Sequence, residues 1–173
     1  TEYEFTDIQP SFRDNGSIYL AILGLFSDKK DLYVFDKNTN NKDNKIKQIT
    51  DEIKNNNYDS FIDSGAFLID FTVEEVIDHF YDNIRNKNVF IYIDNDNKKK
   101  VISRKDGNRE EFDYKDEVYE TEYLFIYYDN KHIVGTDIKQ PNKLKGLASV
   151  SSFNKVTDIC LLYTSDAADD WFC

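Results

Sequence analysis

Apolar residues fall along this chain in short blocks separated by polar tracts, and the period changes from block to block. Residues 17–26 (SIYLAILGLF) form a run too short for periodicity to choose between a buried strand and a short helix. DLYVFD at 31–36 reads as a strand, and the Asn- and Lys-rich tract KNTNNKDNKIKQITDEIKNNN that follows reads as a solvated insertion with one helix over about residues 46–54. YDSFID at 58–63 is a short strand ending in Ser64-Gly65-Ala66. The period then switches to helical. Thr72 with Glu75 three residues later forms a capping-box signature, and Val73, Val76, Ile77 and Phe80 share one helical face.

NVFIYID at 88–94 is again a strand, turned by DNDNKKK into VISRK, with Asp106-Gly107 marking a second turn before a polar strand around residues 109–114. EYLFIYYD at 122–129 is the strongest strand in the chain. KGLASV at 145–150 is the last, and residues 152–159 begin a helix. Strands alternating with helices, several of them near-continuously apolar, predict an α/β layer around a mostly parallel sheet, with the hairpin at 88–105 as an antiparallel insertion. Ligands of such sheets bind beyond the carboxyl ends of the strands, where Asp63-Ser64-Gly65 and residues 129–137 fall.

Composition narrows the function classes. The 173 residues fit one domain or a piece of a larger one, and 13 Phe and 12 Tyr against 6 Gly and 2 Pro describe a folded chain with an aromatic core. No stretch reaches the roughly 18–20 apolar residues of a membrane span and the first residues lack a signal-peptide pattern, so an intracellular, cytoplasmic location is expected. The net charge of −11 repels phosphate backbones and argues against nucleic acid as a partner. The one Lys-rich run, Lys98 to Lys100, reads as a solvated hairpin tip.

The candidate chemistry lies in YYDNKHIVGTDIKQP, residues 127–141, where a strand built for burial drops into Asp129, His132, Gly135 and Asp137. Gly135 permits a positive φ or close approach of the backbone to a ligand. Asp137 would hold a metal-bound water, a ribose hydroxyl or a neighbouring arginine, and Lys139 would meet a phosphate. Asp129 would fix the tautomer of His132, a candidate proton shuttle. The competing assignment is a plain polar loop in which Asp129 and Thr136 satisfy backbone donors and His132 lies in solvent. A metal site would have only Asp129, His132 and Asp137 locally, too few for a closed ligand set, and no metal is expected. His79 is expected to be a partly exposed helix residue, and Asp63 to Ala66 a strand-to-loop turn rather than a phosphate cradle. No GxxxxGK[ST] motif occurs anywhere.

The end, CLLYTSDAADDWFC, holds both cysteines and the one Trp, and CLLYTSDAAD resembles the one-frame translation of a transposase adapter used in short-read sequencing. That resemblance implies that residues 160–173 are adapter read-through and that the natural chain continued past Ile159. Residues 1–159 contain no cysteine, which excludes a thiol nucleophile, a zinc–thiolate site or a disulfide within them. Without Asp166, Asp169 and Asp170 the net charge moves from −11 to −8 and stays acidic.

YDSFIDSGAFLIDFTVEEVIDHF, NVFIYIDNDNKKKVISRKDG and EYLFIYYDNKHIVGTDIKQPNKLKGLASVSSFNKVTDI, in that order, resemble the C-terminal part of very large eukaryotic proteins with a helicase-like ATPase module, commonly labelled ubiquitinyl hydrolase or ubiquitin thioesterase. The most specific element is YD-x-x-H-x-x-G-x-D-I-K. The resemblance implies that residues 58–159 are part of a second, incomplete RecA-like lobe of the P-loop NTPase type, and that 1–57 flank it. The phosphate loop would lie before Thr1, and an arginine-bearing helix after Ile159. It further implies ATP and Mg as cofactors of the complete parent, with Asp129, His132 and Asp137 as catalytic candidates and Gly135, Thr136 and Lys139 as cofactor-binding ones. The missing N-terminal lobe would be the first partner, and ubiquitin or ubiquitinated proteins would be others. The fragment alone would be catalytically incomplete. A non-catalytic acidic protein-interaction module is the alternative.

Overall fold

The computed structural model describes residues 41–133, 138–141, 143–151 and 154. The apolar block at 17–26, the strand expected at 31–36, the helix expected over 152–159 apart from Asn154, and the whole tail lie outside them, as do Gly135, Thr136 and Asp137.

Helix α1 (Lys42–Asn56) opens the described chain, longer at both ends than the Asn/Lys pattern predicts. Asn41 caps it by accepting from the Asp43 amide, and Asn57 ends it in the left-handed region at φ 53°. Its Ile46, Ile49 and Ile53 repeat at helical spacing and are all buried. Strand β1 (Ser60–Ile62) follows, and then helix α2 (Val73–Asn83). Both halves of the capping box form: Thr72 Oγ1 accepts from the Glu75 amide at 3.1 Å, and Glu75 Oε2 accepts from the Thr72 amide at 2.8 Å. Val73, Val76, Ile77 and Phe80 are buried as their spacing predicts.

Strand β2 (Val89–Ile93) turns through residues 94–98 into β3 (Lys99–Lys105). Asp106 (φ 51°) and Gly107 (φ 81°) then make the two-residue turn to β4 (Asn108–Asp113). A 3-10 turn (Thr121–Tyr123) leads into β5 (Leu124–Tyr128), buried at every position, and β6 (Gly146–Ala148) closes the sheet. The order is β4-β3-β2-β5-β1-β6. Strands β2, β5, β1 and β6 run parallel, and β3 and β4 are antiparallel at one side. The chain is therefore α/β with a six-stranded mixed sheet, and the hairpin is the expected antiparallel insertion.

Both sheet faces are apolar, which explains why the parallel strands lack polar alternation. Phe61, Phe90, Tyr92, Phe125 and Tyr127 face helices α1 and α2. Phe80 lies edge-on to Phe125 at 5.4 Å, to Tyr127 at 5.6 Å and to Phe61 at 6.1 Å. On the other face Ile62, Ile91, Ile93, Val101, Leu124, Ile126 and Tyr128 pack beneath Ile133, Ile138 and Leu144 of the β5–β6 connection. No helix among the described residues is long and apolar enough to cross a membrane.

The starts of the four parallel strands are joined by one buried ion pair. Lys87, 1% exposed, precedes β2 and donates to Asp59 Oδ1 at 2.5 Å, ahead of β1. It also donates to the carbonyls of Thr121 and Glu122, ahead of β5, each at 3.2 Å. Asp59 Oδ2 accepts from the Lys145 amide ahead of β6 at 2.9 Å. All three ammonium protons have acceptors, the condition under which a buried charge is tolerated.

Candidate functional site at the carboxyl edge of the sheet

The opposite ends of the same four strands carry the candidate chemistry. Ile62 pairs with Tyr128 and with Ala148, so one step further the register aligns Asp63 with Asp129 and Ser149. The β2–β5 register, continued at the same offset, adds Asp94 to that row. Each parallel strand thus ends in a polar residue at the same level: Asp94, Asp129, Asp63 and Ser149 across the sheet.

The connections leave this row in opposite directions. The chain leaving β1 passes onto the helix face, where Leu68 and Val73 join the core. The chain leaving neighbouring β5 passes onto the other face, where Ile133 and Ile138 pack. Right-handed crossovers that run in opposite directions along a sheet lie on opposite faces, and in α/β sheets ligands bind beyond the ends of adjacent strands connected in this way. Asp63 and Asp129 follow the two strands so connected, β1 and β5.

Asp63 is committed to structure. Its side chain is buried; Oδ1 accepts from the Phe67 amide at 2.8 Å and from Ser149 Oγ at 2.6 Å, and Oδ2 accepts from the Leu68 amide at 2.9 Å. Burial raises its pKa above the usual carboxylate value; the three hydrogen bonds pull it down less than burial lifts it, and the Asp129 charge adds a further lift. The Gly65 amide donates to the Ser149 carbonyl at 2.9 Å and to Ser149 Oγ at 2.9 Å, and the Ala66 amide donates to the Asp63 carbonyl at 3.1 Å. A Cβ at Gly65 would meet the Phe67 ring at 2.9 Å and Ser149 Oγ at 3.1 Å, so only glycine fits there without displacement. The amides of residues 65–68 are thus consumed within the chain. The segment is a strand-to-loop turn, as its sequence predicts, and it grips its own carboxylate where a phosphate cradle would grip an anion.

Asp129 and His132 form the second side. Asp129 Oδ1 lies 2.5 Å from His132 Nδ1, and the His132 amide donates to the Asp129 carbonyl at 3.1 Å, closing a tight corner after β5. This is the tautomer-fixing contact expected from the three-residue spacing, and it directs Nε2 outward. His132 Nε2 lies 2.7 Å from Asn97 Oδ1 on the β2–β3 turn. With Oδ1 so placed both ring nitrogens donate; with the amide turned over, Asn97 Nδ2 donates to a neutral ring. Tyr127, stacked on Phe61 with centroids 6.1 Å apart, has its phenol pKa raised by burial and by the charges of Asp63 and Asp129.

Lys139 is exposed and gives its backbone amide to Tyr114 Oη at 3.0 Å, while Gln140 Nε2 donates to Tyr128 Oη at 2.8 Å. Asp129 and His132 are therefore brought together, and Lys139 lies on the connection that leaves them. His79 is half-buried on α2, and that burial lowers its pKa. Lys98 is exposed at the hairpin tip as expected, whereas Lys99 and Lys100 belong to β3, with Lys100 paired to Asp113 at 2.7 Å.

Sequence patterns did not point to Asn97, Ser149 or the Lys87–Asp59 pair. Ser149 had a weak signal, the carboxyl end of an expected strand. Asn97 lay in a tip that reads as solvated, and nothing local marks Lys87. For magnesium, the described residues offer no group of three His, Cys, Asp or Glu side chains converging as ligands. For a nucleotide they offer one wall, Asp129 with His132, and no phosphate grip. No family model, curated protein or solved structure matches the chain.

Proposed function

We propose that the chain is the second, RecA-like lobe of a helicase-like ATPase, belonging to a large hydrolase of the ubiquitin pathway, and that its carboxyl edge lines the ATP cleft. The observation that carries this reading is the parting of the chain at the carboxyl ends of β1 and β5, with Asp63 and Asp129 on its two sides. Supporting it, Asp129 and His132 lie together on that edge. The lobe supplies carboxylate and imidazole; the phosphate grip and the bulk of the magnesium ligands belong to the preceding lobe. Gly135, Thr136, Asp137 and Lys139 are cleft residues in this scheme, and the lobe alone is inactive.

The consumption of the residue 65–68 amides by Asp63 and Ser149 favours a second reading, in which the same fold is a non-catalytic acidic module for protein partners. ATP turnover by a protein containing both lobes separates the two. Turnover that drops on Asp137→Ala with an unchanged melting temperature supports the cleft. Normal turnover in that variant removes Asp137 from the site, and no turnover in the two-lobed protein leaves the interaction module.

A further inference from the structure

Among the described residues, strand β6 has a neighbour on one side only, β1. The Asp59 amide donates to the Lys145 carbonyl, the Ser149 amide to the Ile62 carbonyl and the Gly65 amide to the Ser149 carbonyl. Residues 145, 147 and 149 therefore turn their backbone toward β1. In a parallel strand the direction alternates from residue to residue, so Gly146 and Ala148 aim both N–H and C=O at the open edge.

The course of α1 indicates what reaches that edge. The helix starts at the carboxyl end of the sheet, where Lys42 Nζ lies 4.8 Å from the centroid of the Phe71 ring and Lys45 Nζ lies 3.8 Å from Asp70 Oδ2, on the stretch between Asp63 and α2. It finishes at the amino end, where the Asn56 carbonyl accepts from Lys145 Nζ at 3.0 Å. It thus runs against the parallel strands, as a crossover helix does, and a strand leading into it would run parallel to β1. Helix α1 also packs on the same sheet face as α2. On that face the β1–α2–β2 crossover passes from β1 toward β2, and right-handed crossovers on one face all run the same way. A crossover into β1 through α1 therefore comes from the β6 side. Since β6 holds the place beside β1, the strand it starts from falls on the open edge of β6.

We propose that residues 31–36 (DLYVFD) are the parallel strand that occupies this edge. Five residues, 37–41, separate them from α1, an ordinary strand-to-helix connection. Extended, they reach roughly 16 Å, enough to cross two strand spacings of about 4.8 Å each. The sequence repeats its neighbours, an apolar run closed by aspartate: FID at 61–63, YID at 92–94, YYD at 127–129 and VFD at 34–36. Aligning Asp36 with the polar row of Asp94, Asp129, Asp63 and Ser149 sets Val34 beside Leu147 and Phe35 beside Ala148. Leu147 packs on the helix-face core, so Val34 extends that face, and Phe35 covers the exposed opposite face at Ala148. In this register the Val34 amide donates to the Gly146 carbonyl, and the Val34 carbonyl accepts from the Ala148 amide. An uncovered edge is a template for foreign strands, which a strand of the same chain removes. The placement does not rest on the nucleotide reading.

Amide exchange followed by NMR in the 173-residue chain tests it. In wild type the Gly146 and Ala148 amides are protected although they face away from β1. Val34→Pro deletes one ladder donor, and exchange at both rises about tenfold or more while residues 124–128 keep their protection. Disulfide trapping in a glutathione buffer gives a second readout, with Cys160→Ser and Cys173→Ser as background. Phe35→Cys with Ala148→Cys closes a disulfide within one chain, and Phe35→Cys with Leu147→Cys, on opposite faces, does not. Unprotected Gly146 and Ala148 in wild type, or no intrachain disulfide in the first pair, overturns the placement. A disulfide between two chains overturns it as well and gives the edge to a second copy. Neither readout involves ATP, so failure here and failure of the nucleotide cleft are separate results.

Discussion

The two ends of the parallel strands solve the same problem in opposite ways. At the amino edge a buried cation, Lys87, meets a buried carboxylate, Asp59, and the carbonyls of Thr121 and Glu122, while Asp59 also accepts from the Lys145 amide, so both carboxylate oxygens and all three ammonium protons are used. At the carboxyl edge two buried carboxylates, Asp63 and Asp129, align with no lysine or arginine among the described residues bonded to either; their partners are a serine hydroxyl, two amides and an imidazole. The first arrangement fixes which strands begin together. The second sets two carboxylates in one row with no lysine or arginine among the described residues to neutralise them, and it is on this row that the cleft proposal rests.

The contrast is broken most severely by Lys87→Met. It strands Asp59 as an unpaired buried charge and is expected to cost about 3–5 kcal/mol in denaturant unfolding. Adding Asp59→Asn removes the stranded charge while keeping an acceptor for the Lys145 amide, and recovers a large part of that loss. Equal stability of the Lys87→Met single and double variants would show that the pair does not bear on the fold as described.

At the other edge, Asp63→Asn replaces one acceptor with a donor facing an amide or the Ser149 hydroxyl, an expected loss of about 1–3 kcal/mol. Its pH dependence is more telling. The pKa of Asp63 is raised on folding, so its contribution is fully present below the unfolded value, near 3.8, and is lost as pH rises through the higher folded value. Wild-type stability relative to Asp63→Asn therefore falls as pH rises from 3.8 upward, and unfolding curves at successive pH values should show it. A gap that widens with pH in favour of wild type would contradict the burial argument. Smallest is Thr72→Ala, which removes one half of the α2 capping box at an expected cost of about 1 kcal/mol with no change at either sheet edge.

How much of this was legible in the chain follows from the range of each interaction. The capping box, the buried stripe of Val73, Val76, Ile77 and Phe80, and the Asp106-Gly107 turn are local patterns, and all three appear where the residues place them. The Asp129–His132 contact spans three residues and was legible for the same reason. Asn41 lengthens α1 beyond its expected span, because an asparagine cap inside an asparagine-rich tract carries no contrast. Lys87 and Asp59 are 28 residues apart, and Ser149 and Asp63 are 86 apart. Such pairs exist only once the strand order is set, and no local period encodes them. The contact of Asn97 with His132 was hidden by the same cause: a polar turn reads as solvated until the sheet brings the β5 corner beside it.

The most direct measurement is ATP turnover by the two-lobed protein carrying Asp129→Asn, set beside Thr72→Ala as a control that perturbs stability away from the cleft. If the carboxyl edge lines the nucleotide site, Asp129→Asn lowers turnover by roughly tenfold or more through loss of the His132 orientation, while Thr72→Ala stays near wild type. Equal turnover in the two variants would contradict the assignment of this edge to the cleft.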